Sequence, residues 1–375
     1  MINFWSYKKE YEINRRKFLT LFDNTLKKGQ IFFGEALNSF EKNFIKKYKV
    51  KYGVAVGSGT DALLISLMSM NIKKGDEVIT AANTAIPTIS AIVNSGATPK
   101  LVDIDENYLI DISKIEKSIT KKTKVIIPVH LYGKSCNMND IVKISKKHNL
   151  KIIEDCAQSQ GAKYGNRYVG TIGDLGCFSF YPTKILGAYG DGGFITTNDY
   201  SLYKKIKKIR FYGIDTVDKK NKFFNKYYSN INGINSRMDE VSSKILSYKL
   251  SKIDTYIKKR RAIARIYENE LKDTSLSLPK KEKKTFDVFH LYTVYHTKRN
   301  TIQKNLLSNK IQTRVIYPYP IHKMKAYKKY FKNVKFPTSE KKSKGIFCLP
   351  LYPELKHKDV RFICKILKRI LKKIP

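Results

Sequence analysis

Lys151-Ile152-Ile153-Glu154-Asp155-Cys156-Ala157-Gln158 reads as a short buried strand that ends on a carboxylate. Further along comes Ser179-Phe180-Tyr181-Pro182-Thr183-Lys184-Ile185-Leu186-Gly187-Ala188-Tyr189-Gly190-Asp191-Gly192-Gly193, an aromatic strand, a Pro-Thr-Lys loop and a glycine cluster. Another strand, Phe194-Ile195-Thr196-Thr197, follows at once. An acid at a strand end and a lysine in a tight, glycine-flanked loop suit pyridoxal phosphate. The amine holds the cofactor's aldehyde carbon, and the acid pairs with the protonated pyridine nitrogen. Such a lysine needs a neutral amine, which a sheltered pocket favours.

Outward from this stretch, apolar runs alternate with helical patterns. Strands are expected at 53–56, 77–80, 99–103, 125–129, 151–154, 177–181 and 193–197, and helices at 61–70, 86–94, 138–148 and 201–209. That alternation predicts an α/β fold with a mostly parallel sheet covered on both faces, its ligand site at the carboxyl ends of the strands. A single long helix is expected from 238 to 271, leading out of the large domain. Beyond it, strands at 290–296 and 315–317 and helices at 302–309 and 359–371 suggest a smaller α+β domain. The boundary is placed near residue 250, giving a large domain of 1–250 and a small one of 251–375.

Composition bounds the reading. The chain has 375 residues, 42% hydrophobic and 12% aromatic, enough for a large core. No apolar run has the length of a membrane span, and the N-terminal residues lack the apolar core of a signal peptide. The five cysteines are scattered without zinc-finger spacing, so neither a metal site nor disulfides are expected and a cytoplasmic location is. The net charge of +41 suggests either nucleic-acid binding or solvated lysine faces. Only 12 of the 73 basic residues are arginine, and the lysines run along the whole chain, which favours solvated faces and no specific nucleic-acid partner.

Gly57-Ser58-Gly59-Thr60-Asp61 follows a strand and opens a helix, where free amides meet a phosphate or simply await a cap. Asp155 by itself is equally an ordinary turn acid, and Ser179 an ordinary strand serine on the face of Tyr181. Taken together, these segments resemble the DegT/DnrJ/EryC1/StrS family of sugar aminotransferases, from about Gly34 to the C-terminal helix. These are pyridoxal phosphate enzymes of the aspartate aminotransferase fold (fold type I).

The resemblance implies roles residue by residue. Lys184 is the catalytic lysine. Gly59, Thr60 and Ser179 hold the cofactor phosphate, Asp155 the ring nitrogen and Gln158 the phenolic oxygen. Gly233-Ile234-Asn235-Ser236-Arg237-Met238 matches a second signature, in which Asn235 reaches the partner's cofactor phosphate across a homodimer with composite sites; the plainer reading is a helix cap. Tyr317-Pro318-Tyr319-Pro320-Ile321-His322-Lys323 resembles a substrate loop, which nominates Tyr317 and His322, and Tyr181 and Tyr212 are further substrate-side residues. Two positions depart from the pattern. Ala85 stands where many members stack an aromatic on the cofactor, and Ile316 where an aromatic or histidine is usual.

The implied reaction moves an amino group from L-glutamate, through pyridoxamine phosphate, to a nucleotide-linked keto sugar. The Thr-Lys loop and Val129-His130-Leu131-Tyr132-Gly133 look most like the subgroup acting at C-3″ of dTDP-linked 3-oxo-6-deoxyhexoses, in making amino deoxysugars for surface glycans. Amination at C-4″ of a 4-keto sugar is the alternative. A dehydratase would carry histidine at position 184, and a nucleic-acid binder on the same scaffold would not need Asp155, Gln158, Ser179 and Lys184 together.

Overall fold

In the computed structural model, residues 1–215 and 227–374 are described. The strands, in chain order, are β1 (Tyr52–Val56), β2 (Glu77–Ala81), β3 (Thr98–Val102), β4 (Thr123–Ile127), β5 (Lys151–Asp155), β6 (Lys163–Tyr164), β7 (Arg167–Tyr168), β8 (Leu175–Ser179), β9 (Gly193–Thr197), β10 (Thr285–Phe286), β11 (Tyr292–Tyr295) and β12 (Ile346–Leu349). The helices are α1 (Tyr7–Leu26), α2 (Glu35–Tyr48), α3 (Gly59–Ser69), α4 (Ile86–Asn94), α5 (Ile112–Ser118), α6 (Met138–Lys147), α7 (Tyr200–Ile209), α8 (Glu240–Leu250), α9 (Ile253–Leu271), α10 (Arg299–Ser308), α11 (Pro337–Gly345) and α12 (His357–Leu371).

Seven strands form one sheet in the order β1-β9-β8-β5-β4-β2-β3. Pairing is parallel from β3 through β8 and antiparallel on both sides of β9, so β9 alone runs against the other six. Alternate residues feed opposite faces, as a pleated strand requires. On β4, Val125 and Ile127 join a cluster with Leu63 and Ile65 of α3, Ile89 of α4 and Ile206 of α7. Ile126 between them joins Ile115 of α5 and Ile141 of α6. Both faces are thereby covered, as the unbroken apolar runs predict.

The expected single helix from 238 to 271 is two helices. Ser251 Oγ donates to the carbonyl of Tyr248 at 2.7 Å, and the backbone breaks between α8 and α9. A serine that bonds back to its own helix competes with the helical ladder, a local effect that apolar periodicity does not register. The expected strand at 315–317 is also absent. Pairing with β12 stops at Arg314, bridged to Cys348, and the chain turns away. The strand expected at 290–296 starts only at Tyr292, because Leu291 N–H is spent on the carbonyl of Tyr132.

C-terminal to the break, α9, α10 and α12 pack with β11 and β12 around Tyr267, Tyr292, Leu306, Phe347 and Leu367. The N-terminal segment joins this unit. Ile2 bridges to Ile311, and Ile2 and Trp5 pack against its cluster. In the other direction, Ile321, Phe331 and Phe336 pack into the main sheet's cluster, which brings Tyr317 to the ends of β4 and β5. Among the described residues, no helix is long and apolar enough to cross a membrane.

Candidate active site

A cavity of about 320 Å³ opens at the carboxyl ends of β4, β5 and β8 and the N-terminus of α3. Of the residues singled out from sequence, Gly59, Thr60, Asp155, Gln158, Ser179, Tyr181, Lys184 and Tyr317 all line it.

The floor is built by α3. Ser58 caps the helix, its hydroxyl accepting the amide of Asp61 at 3.0 Å. The amides of Gly59 and Thr60 lie in the first turn, where no intrahelical acceptor exists, and they carry the positive end of the helix dipole. Two glycines allow this docking. A Cβ on Gly59 would lie 2.5 Å from Ser179 Cβ, and one on Gly193 would lie 2.2 Å from the Ser58 carbonyl. The turn is held from outside by Ser236, whose hydroxyl donates to Asp61 Oδ2 at 2.8 Å and accepts the amide of Gly57 at 2.8 Å.

At the end of β5, Glu154 and Asp155 face opposite ways and meet opposite environments. Asp155 is buried and borders the cavity. Its Oδ1 accepts the Ala157 amide at 3.1 Å and its Oδ2 the Thr88 hydroxyl at 2.9 Å. Burial raises its pKa, against the pull of those two bonds and of Lys184. Glu154 is fully buried beneath. Its Oε1 takes the amides of Ile172 and Gly173, both at 2.7 Å, and its Oε2 takes the amide of Gly170 at 2.9 Å and His130 Nε2 at 3.0 Å. Burial works against its charge, but His130 and the amides prevail and hold its pKa below the usual value. His130 Nδ1 accepts the Cys136 amide at 3.0 Å, so the ring carries its proton on Nε2, toward Glu154. With Cys156 these two residues have metal-ligand proximity. Their nitrogen and oxygen acceptor sites are already used by protein donors, which makes the group a structural anchor for the loop at 170–173.

Lys184 enters from the loop after β8, and burial of its amine lowers the pKa to about 8, with Asp155 pulling the other way. The amine thus sits far closer to its neutral form than an exposed lysine. Gln158 is clamped at both ends. Its Oε1 accepts the Tyr132 amide at 2.8 Å, and its Nε2 donates to the Tyr317 hydroxyl at 2.9 Å. One Nε2 proton remains for a ligand, and so does the Tyr317 hydroxyl proton. Burial pushes the Tyr317 phenol above its ordinary pKa, so it stays a donor. Tyr181 is 51% exposed at the mouth. Ala85, Ile86 and Pro87 line one side of the cavity, apolar residues without an aromatic ring, as the departure at Ala85 implies.

Three nominated residues stand apart. His322 does not line the cavity; it is buried, with Nε2 3.0 Å from Glu340 Oε1 and its ring against Phe336. Tyr212 is 46% exposed in a left-handed turn and does not line the cavity. Asn235 is exposed beside the Ser236 clamp and likewise does not reach the cavity of its own chain. Sequence reasoning missed Thr88, Thr84 and Asp191. No local signal marks the two threonines, because the Asp155 carboxylate that Thr88 meets lies 67 residues away.

An open helix N-terminus beside a serine, a buried carboxylate and a lysine of depressed pKa, all in one cavity, fit pyridoxal phosphate. The comparisons with known proteins agree. Residues 12–368 match the model of the DegT/DnrJ/EryC1/StrS aminotransferase family. The chain is similar to the dTDP-3-amino-3,4,6-trideoxy-alpha-D-glucose transaminase of Micromonospora megalomicea subsp. nigra, 38% identical over 360 residues and 94% of each chain. It is also similar to the dTDP-3-amino-3,6-dideoxy-alpha-D-galactopyranose transaminase of Aneurinibacillus thermoaerophilus, 40% identical over 348 residues, 92% of this chain and 93% of that one. The crystal structure of S. venezuelae DesV superposes with a TM-score of 0.94 at 31% identity, covering 100% of this chain and 99% of that one.

Proposed function

The chain belongs to the DegT/DnrJ/EryC1/StrS aminotransferase family, and on that premise we propose that it transfers the amino group of L-glutamate to C-3″ of a dTDP-linked 3-oxo-6-deoxyhexose. It is a pyridoxal phosphate-dependent nucleotide-sugar aminotransferase with the aspartate aminotransferase fold. The observation that carries the site assignment is the enclosure of the Lys184 amine, at a pKa of about 8, in one cavity with the Asp155 carboxylate. Support for C-3″ comes from the two relatives above, whose names both carry a 3-amino sugar.

When bound, pyridoxal phosphate supplies the electron sink that stabilises negative charge at the carbon being aminated or deaminated. This chain's residues do the rest. Gly59, Thr60 and Ser179 hold the phosphate at the positive end of α3. Asp155 would pair through its carboxylate with the protonated ring nitrogen, and Gln158 would donate to the phenolic oxygen. Lys184 Nζ, close to its neutral form, would carry a proton between the reacting substrate carbon and the cofactor's C4′ carbon. Tyr181 and Tyr317 border the mouth on the substrate side. Asn235, exposed in the single chain, serves the site of a second copy in a homodimer. The +41 charge draws the anionic sugar nucleotide inward. Five unpaired, buried cysteines suit a reducing cytoplasm.

The test is a panel of dTDP- and UDP-linked 3-oxo and 4-oxo sugars, incubated with glutamate, with the new amine located by NMR. Amination of a dTDP-3-oxo sugar at C-3″ is expected. Amination only at C-4″ would overturn the regiochemistry, and no amination of any sugar would overturn the reading.

A further inference from the structure

The N-terminus of α4 borders the cavity through Ala85, Ile86 and Pro87, while Thr84 and Thr88 beside them do not line it. Thr88 Oγ1 lies 2.9 Å from Asp155 Oδ2, and Thr84 Oγ1 lies 3.1 Å from Thr88 Oγ1. Both threonines are buried, at 1% and 0% exposure for Thr84 and Thr88. We propose that Thr84 and Thr88 form a one-way hydroxyl relay that positions the Asp155 carboxylate for the cofactor's ring nitrogen. The inference rests on the assignment of Asp155 made above.

Proton counting fixes the direction. An ionised carboxylate only accepts, so the single hydroxyl proton of Thr88 goes to Asp155. The Thr88 oxygen is then an acceptor, and Thr84 must be its donor. Both dipoles point toward the acid, and bonds in such a chain strengthen one another in a low-dielectric interior. The Ala157 amide holds the other carboxylate oxygen. One donor on each oxygen fixes the carboxylate's plane and still leaves lone pairs for a ring N–H. Asp155 is short of other support, since the amides that gather beneath the strand end are taken by Glu154. The helix supplies the geometry. Thr84 lies just before the N-cap Ala85 and Thr88 in the first turn, with Pro87 beside it fixing the helix start. With Ala85 between them, this turn gives hydroxyls to the acid instead of a ring to the cofactor.

Thr88 is thus a positioning residue. Thr88→Val removes the donor at nearly constant shape, and Thr88→Ser keeps it. The experiment follows release of pyridoxal phosphate from each holoenzyme during dialysis, by absorbance, over a pH series. Thr88→Val should release cofactor on the order of 10-fold faster, the effect of one hydrogen bond to a charged group. The acid limb of its retention profile should move to higher pH, because a lost donor to the ionised form raises the Asp155 pKa. Thr88→Ser should restore both, and Thr84→Val should shift both in the same direction by less. Retention by Thr88→Val within about twofold of the parent, with an unmoved acid limb, would overturn the relay. So would equal losses in Thr88→Val and Thr88→Ser, which would mark a packing role. Asp155→Ala separates the two claims. If it retains cofactor normally, the assignment of Asp155 falls and the relay with it. If it releases cofactor while Thr88→Val does not, the relay alone falls.

Discussion

Replacing Glu154 by glutamine should unfold this protein far more easily than its one-atom change suggests. The carboxylate accepts four donors, two on each oxygen, at 2.7, 2.7, 2.9 and 3.0 Å. Glutamine offers one acceptor oxygen, and its NH₂ must face the other pair. If it faces Ile172 and Gly173, two amides lose their acceptor. If it faces Gly170 and His130, one amide and the imidazole N–H lose theirs. His130 has no escape, because moving its proton to Nδ1 would set it against the Cys136 amide. Each buried donor left unpaired costs about 1–3 kcal/mol, so two cost about 2–6 kcal/mol before any donor–donor repulsion. Urea unfolding at fixed protein concentration measures this, provided parent and variant are compared with the same cofactor occupancy. The sign with pH is also set. Folding lowers the Glu154 pKa, so its stabilisation is full above the unfolded carboxylate value and is lost as pH falls through the lower folded value. Glu154→Gln should therefore lose less stability than the parent on acidification. A change below about 1 kcal/mol would refute the view that this carboxylate anchors the loop at 170–173.

Lys184→Ala should keep the fold by circular dichroism yet show no turnover and no cofactor fixed to the protein by borohydride; normal turnover would defeat the assignment. In the cofactor-free protein, Lys184 should react with an amine reagent with a midpoint near its pKa of about 8, well before the exposed lysines, as mapped by peptide mass spectrometry. Mixing inactive Lys184→Ala with inactive Asn235→Ala should restore activity in heterodimers, since one of the two sites then has both residues intact; a mixture that stays inactive after verified subunit exchange argues against a composite site.

How much of this was legible in the sequence follows the range of the interaction involved. The run ending at Asp155 and the loop around Lys184 announced themselves, because strand period, glycine placement and residue chemistry are all local there. The seven strands of the sheet were recognisable for the same reason. The break at Ser251 was not, since a hydroxyl bonding one turn back leaves the apolar period intact. Thr88 was invisible because its acceptor is 67 residues away. The surroundings of His322 were not legible either, because its partner Glu340 and the ring of Phe336 come from a later segment. Glu154 looked like a mere neighbour of Asp155. Its importance lies in four donors delivered by two other segments, which no reading of β5 alone supplies.

The strand order has a consequence for synthesis on the ribosome. β1 pairs only with β9, through Tyr52 to Thr197, while β2 to β5 pair among themselves. The β1–α3 turn, with Ser58 and Gly59, therefore has no docking place until the chain has been made through Thr197. At about 5–20 residues per second, the intervening stretch of roughly 140 residues takes about 7–30 s. Late in that interval, once β5 has been made, the parallel strands that present Asp155 are complete while the turn for the cofactor phosphate is still undocked. A nascent chain halted before β9 emerges would carry the acid but lack the phosphate seat, and it should not retain the cofactor.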